Sequence, residues 1–199
     1  MPAMIAQAAK TATFAVRVQP RIRIGVSSCL LGEAVRYDGG HKRDPIVRSL
    51  GRFAEWVPVC PELEAGLGVP RPPMRLVRNG ERVRIVEVES GRDHTRALQR
   101  YTAARLRALR ALDLCGYVLK KDSPSCGIAR VPLYAGAGRA RRSGIGIYAR
   151  GLRVAYPRLP VADEAQLRDP ALRERFIERV FAYARARERK LRGRLPSRE

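Results

Sequence analysis

Cys29, Cys60, Cys115 and Cys126 are the residues of this 199-residue chain whose chemistry is hardest to ascribe to packing alone. Residues 1–20 lack a continuous apolar run followed by a small-residue cleavage site. They are expected to be a flexible leader and the protein cytoplasmic, which argues against a disulfide framework. The cysteines are then buried small hydrophobes, nucleophiles or metal ligands. Cys115, in Leu114-Cys115-Gly116, fits simple burial. The other three have neighbours that a core does not need: Ser27-Ser28 before Cys29, Pro61-Glu62 after Cys60, and Ser123-Pro124-Ser125 before Cys126. They are separated by 31 and 66 positions and form no C-x-x-C. Structural zinc favours four ligands and close cysteine pairs, so the pattern suits zinc poorly. Three thiolates around an iron–sulfur cubane would leave one iron free to act as a Lewis acid toward a soft sulfur atom. Spacing alone leaves both a shared site and three separately buried thiols open.

The elements that must position these cysteines follow from pattern and punctuation. Arg21–Val26 alternates apolar and basic residues and reads as a strand that ends before Cys29. Trp56–Val59 reads as a short buried strand entering Cys60. Tyr117–Leu119 is a third, leading through Lys120-Lys121-Asp122 to Cys126. A helix is expected over Asp44–Ala54, with Asp44 as its cap and Pro45 in its first position. Residues 66–73 carry too much Gly and Pro for helix and should form a fixed loop. Strands are expected at Met74–Val77 and Val83–Val88 around the turn Asn79-Gly80. A helix from about Asp93 would place Ala97, Leu98, Tyr101, Ala104, Ala108, Leu109 and Leu112 on its apolar face, with Arg96, Arg100, Arg107 and Arg110 opposite. A last helix runs from Asp169-Pro170 to about Leu191, with Phe176, Ile177, Val180, Phe181 and Ala184 on one face. This alternation implies a three-layer, Rossmann-like α/β sandwich with a largely parallel sheet and a C-terminal helical extension. In such a fold ligands gather at the carboxyl ends of the strands.

Charge points to a partner. Lys and Arg outnumber Asp and Glu by 40 to 19, giving a net charge of +21 and a pI near 11.2. Such a surface attracts polyanions, and nucleic acid is the leading one. A genomic composition bias would explain why only five of the 40 are Lys, but not the excess itself. Arg36, Lys42, Arg43, Arg139, Arg141 and Arg142 are candidate RNA contacts, or simply solvated charges. No apolar run is long enough to span a bilayer, so no membrane partner is expected.

The segments SSCLLGEAVRYDGGHKRD, VPVCPELEAGLGVPRPP, GYVLKKDSPSCG and GIGIYARGL closely resemble the TudS (YbbK-like) family of thiouracil desulfidases, over roughly residues 22–160. The resemblance implies a desulfidase domain over residues 21–160 with a 4Fe-4S cluster held by Cys29, Cys60 and Cys126. Residues from Pro157 onward resemble the junction of longer members fused to a helical domain, which are associated with 4-thiouridine in tRNA. Residues 161–199 are therefore expected to be a helical tail, the truncated start of such a domain.

On this reading a thiolated pyrimidine, in tRNA or as a free base, meets an open iron and water replaces its sulfur without redox change. Glu62 is the candidate for proton transfer; its other reading is a carboxylate capping the helix after Pro61. Ser123 and Ser125 would hydrogen-bond the ring or sulfur, or only shape the loop, and Lys121 would stabilise departing negative charge. Asp38, Arg71 and Arg75 are candidate contacts for the base or its phosphate. A non-catalytic RNA-binding protein with a structural metal is the alternative from another class.

Overall fold

The computed structural model describes residues 22–136 and 138–192, so the leader expected at residues 1–20 lies outside the described residues. Strand β1, Ile22–Ser27, is the second of four in a wholly parallel sheet. It pairs with β2, Ala54–Val59, and with β5, Gly116–Leu119; β5 in turn pairs with β8, Val161–Asp163. All four residues of β5 are buried, as expected where helices cover both faces of a parallel sheet. The expected boundary at residue 160 falls just before β8.

A second sheet runs in the order β4-β3-β6-β7. Its hairpin, β3 (Met74–Asn79) and β4 (Arg82–Glu87), matches the expected strands and turn. Strands β6, Val131–Ala135, and β7, Arg141–Gly144, extend it.

Asp44 caps α1, Pro45–Ser49, accepting hydrogen bonds from the amides of Ile46 and Val47, both at 3.0 Å. This helix is shorter than expected. After a tight turn over Leu50–Arg52 the chain enters β2, whose first residue Ala54 is already in register with Ile22. Sheet pairing therefore takes residues that local propensity would leave in the helix.

Helix α2, Thr95–Ala108, buries Leu98, Thr102 and Leu106, and Leu109 follows in the turn beyond. Ala104 and Ala108, expected on the apolar face, are exposed. The large side chains set the buried stripe and the alanines, with little area to bury, follow. Arg96, Arg100, Arg107 and Arg110 are exposed as expected.

Helix α2 and helix α3, Ile147–Ala155, cover one face of the parallel sheet: Leu106, Leu109, Tyr148 and Leu152 share a core with Val57, Val59, Tyr117 and Leu119. The other face carries α1 and helix α4, Pro170–Arg192. Phe176 and Val180 are buried there with Ile24, Val26, Val47 and Val118. Phe181 packs on Phe53 with ring centroids 6.0 Å apart. The fold is the expected three-layer α/β sandwich with a C-terminal helix. Among the described residues no helix is long and apolar enough to cross a membrane.

Candidate active site

Because β1, β2 and β5 run in the same direction, the chain leaves all three at one edge of the sheet. Cys29 lies two residues beyond β1, Cys60 follows β2 directly, and Cys126 lies within the loop between β5 and β6. The three cysteines line one cavity of about 400 Å³ at that edge. Cys115 is elsewhere: it sits before β5 in the core with Ile24 and Phe176, its amide donating to the Arg23 carbonyl at 2.8 Å.

Each of the three cysteine loops has its own anchor. The Cys29 carbonyl accepts from the Lys42 amide at 2.9 Å. The Cys60 amide donates to Glu64 Oε1 at 2.8 Å, and Glu64 Oε2 accepts from the Tyr101 hydroxyl at 2.6 Å. In the third loop Ser123 Oγ accepts from the amides of Ser125 and Cys126, at 3.2 and 3.0 Å.

The start of α3 closes that third loop from outside. The amides of Ile147 and Tyr148 donate to the carbonyls of Pro124 and Ser125, at 3.2 and 2.9 Å. Helix donors that would otherwise be orphaned are thus satisfied by the cysteine loop. Gly146 permits the approach, since a Cβ there would stand 2.4 Å from the Ser125 carbonyl oxygen. Gly146→Ala is expected to destabilise the fold by about 1–3 kcal/mol through overpacking. It should also expose Cys126, which thermal melting and thiol-reagent accessibility would measure.

Burial, the largest influence, pushes the Cys29 thiol up to about 11, with the neighbouring Cys60 adding to it. Burial likewise raises Cys60. Cys126 is raised well above the ordinary range by burial, opposed by a hydrogen bond from Ser27 and reinforced by Glu62, Cys60 and Cys29. Cys29 thus senses Cys60, and Cys126 senses both. Among the described residues, no three His, Cys, Asp or Glu side chains are arranged to hold a single metal ion. Soft donors around one cavity, but not around one point, fit a multinuclear group that spans them.

Glu62 lines the cavity and makes no capping hydrogen bond to the helical turn Leu63–Leu67. The capping alternative is therefore absent, and Glu64 makes the backbone contact instead. Glu62 Oε2 accepts from Arg71 Nε and Nη2 at 3.0 and 2.6 Å, while Oε1 accepts from Ser125 Oγ at 2.8 Å. Arg71 also reaches the carbonyls of Val35 and Gly68, at 3.1 and 2.8 Å. A nearly buried guanidinium and a fully buried serine hydroxyl thus hold one carboxylate at the cavity wall.

The other candidates divide. Ser123 and Lys121 line the cavity; Ser123 also shapes the loop, and Ser125 acts on the site through Glu62. Arg36 and Lys42 are at its mouth. Asp38 is exposed and outside the lining, where it pairs with Arg36 and accepts from the Gly40 amide at 3.0 Å. Arg75 is on the second sheet, its guanidinium 5.0 Å from the Tyr134 ring centroid. Arg141 and Arg142 are exposed on β7, with Arg142 paired to Asp122; Arg43 and Arg139 are exposed in loops.

Sequence reasoning missed several supports. Ser27 accepts from the Lys120 amide at 3.0 Å besides bonding Cys126. Glu164, buried just past β8, pairs with Lys120 and accepts from the Lys121 amide at 2.7 Å. The acidic pair Asp163-Glu164 was the available signal, but a three-residue strand hid its position.

Comparison with known proteins agrees with this geometry. The chain is 36% identical over 108 residues to YbbK of Bacillus subtilis, an uncharacterised protein, covering 51% of this chain and 71% of that one. A solved structure described as the [4Fe-4S]-dependent thiouracil desulfidase TudS superposes with a TM-score of 0.60 and 34% identity, covering 76% of this chain and 96% of its own. Residues 24–164 match the 2-thiouracil desulfurase family, and the chain belongs to that family.

Proposed function

We propose that this protein is a cytoplasmic, 4Fe-4S-dependent desulfidase that exchanges the sulfur of a thiolated pyrimidine for oxygen, with 4-thiouridine in tRNA as its substrate. The observation that carries the reading is that three cysteines, each following a strand of one parallel sheet, line a single cavity. Cys29, Cys60 and Cys126 would hold the cluster. When bound, it supplies an iron lacking a protein ligand, a Lewis acid suited to a thiocarbonyl sulfur.

The chain's own residues manage water and protons. Glu62 accepts one proton from the water that adds to the ring carbon and returns it to the departing sulfur as the carbon–sulfur bond breaks, while the second water proton passes from the new hydroxyl to solvent as the carbonyl forms. The products are the oxo-pyrimidine and hydrosulfide, with no net electron transfer. Arg71 and Ser125 keep the Glu62 carboxylate aimed at the cavity, so positioning is prepaid before substrate arrives. Lys121 at the cavity wall favours the negative charge that develops on sulfur.

The net charge of +21 supports an RNA substrate. A thiolated base in folded tRNA must be turned out to reach the cavity, at a cost of a few kcal/mol that phosphate contacts offset. Arg36 and Lys42 at the mouth are the nearest candidates for those contacts, with Arg43, Arg139, Arg141 and Arg142 farther out.

Sulfide release by anaerobically reconstituted protein, from thiolated tRNA and from free thiouracil over a range of salt concentrations, tests this. The expected result is that kcat/KM for tRNA falls steeply with salt while that for thiouracil stays nearly flat. Turnover of thiouracil alone would make the free base the substrate, the reading favoured by the solved relative's description. No turnover of either, with RNA bound by a zinc-loaded protein, would replace catalysis with RNA binding.

A further inference from the structure

One aromatic side chain at the cavity mouth is held for exposure. Tyr37 is 41% exposed, yet it lines the cavity with the three cysteines. An ordinary surface tyrosine would sit on a loosely held loop, but this one does not. Its carbonyl accepts from the Arg71 amide at 2.9 Å, linking it to the guanidinium that holds Glu62. The turn beyond is closed by the Gly39 amide to the Arg36 carbonyl at 3.0 Å and by the Arg36 amide to the Gly40 carbonyl at 3.2 Å.

The Arg36 guanidinium lies over the Tyr37 ring, 5.2 Å from its centroid, and Asp38 holds that guanidinium. One ring face is therefore backed by a cation and the ring keeps substantial exposure beside the cavity. A rigid, cation-backed aromatic face is a surface on which a nucleobase stacks, whatever its exocyclic groups. Lys42, anchored to the Cys29 carbonyl through its amide, lines the same mouth and supplies positive charge for a flanking phosphate.

We propose that Tyr37, backed by Arg36, is a stacking platform for the pyrimidine ring that enters the cavity, with Lys42 receiving the phosphate next to that ring. This rests on the desulfidase reading for its substrate class and adds the residue that grips the ring. Tyr37 grips the ring and takes no part in bond breaking, so its contribution belongs in KM rather than kcat.

Two readouts keep the platform separable from the reaction: binding of fluorescently labelled oligouridylate by anisotropy, and steady-state sulfide release from thiouracil, both on cluster-loaded protein. Tyr37→Ala is expected to weaken oligouridylate binding and raise the KM for thiouracil, each about tenfold, with kcat changed less than about twofold. Tyr37→Phe should restore both, and Lys42→Ala should weaken oligouridylate binding. Wild-type-like binding and KM in Tyr37→Ala, failure of phenylalanine to restore them, or absence of pyrimidine binding by the wild type would overturn the proposal. If wild-type protein releases no sulfide but Tyr37→Ala still weakens oligouridylate binding, the platform stands and the desulfidase reading falls.

Discussion

Cys29→Ala, Cys60→Ala and Cys126→Ala are each expected to fold, to lose the iron and acid-labile sulfide that the reconstituted wild type binds, and to release no sulfide from a thiolated pyrimidine. Cys115→Ala should keep full iron content and activity, because its thiol belongs to the core before β5. The contrast matters because all four cysteines are at least half-buried in the fold and only their placement separates them. A Cys126→Ala protein with undiminished iron and turnover would end the proposal that these three thiols act together.

Loading of the site should depend on pH in a definite direction. Burial raises all three thiols above the ordinary value of 9.0, Cys29 to about 11, with neighbouring cysteines adding to it at Cys29 and Cys126, so the metal-free protein holds them protonated at neutral pH. Loading must displace those protons and is favoured as pH rises. A thiol whose value is raised by folding stabilises the metal-free fold below its unfolded value, and that contribution is lost as pH climbs through the folded one. Metal-free protein should therefore melt progressively lower between about pH 9 and 11.

Glu62→Gln is expected to lower kcat by about 10²- to 10⁴-fold while leaving the cluster's absorbance in place. Glutamine keeps the side chain's size and can still accept from Ser125 Oγ, but it cannot take up a proton. It also leaves Arg71, almost inaccessible to solvent, without its counter-charge, so a lower melting temperature should accompany the loss. Arg71→Lys, which keeps the charge but not the two-pronged geometry, should fall between the two. Unchanged kcat in Glu62→Gln would assign proton transfer to another group and reduce Glu62 to a brace for Arg71.

The placement of the three cysteine loops was legible because strand-end patterns are local. RIRIGV, WVPV and YVL each declare a strand, and a parallel arrangement then requires their exits to share an edge. Asp44 and Pro45 likewise announced the start of α1, although its end depended on how Ala54 pairs with Ile22. The second half of the mixed sheet was not legible. Strand β7 reads RRSG, with three exposed residues, and α3 spans only nine residues starting at Ile147 in a Gly-Ile-Gly-Ile context that mimics a strand. The Glu62–Arg71–Ser125 network was half visible. Each residue could be singled out in its motif, but only folding brings position 125 to position 62 and turns a possible cap into an oriented carboxylate.

Glu64 has a mechanical consequence. One oxygen holds the backbone at Cys60 and the other holds Tyr101 in the middle of α2, so a single carboxylate rivets the second cysteine loop to a long helix. That loop cannot fray by itself: it opens only when α2 loosens, and loop and helix therefore form one cooperative unit. The pocket floor inherits the helix's resistance to heat even though it is built from loops.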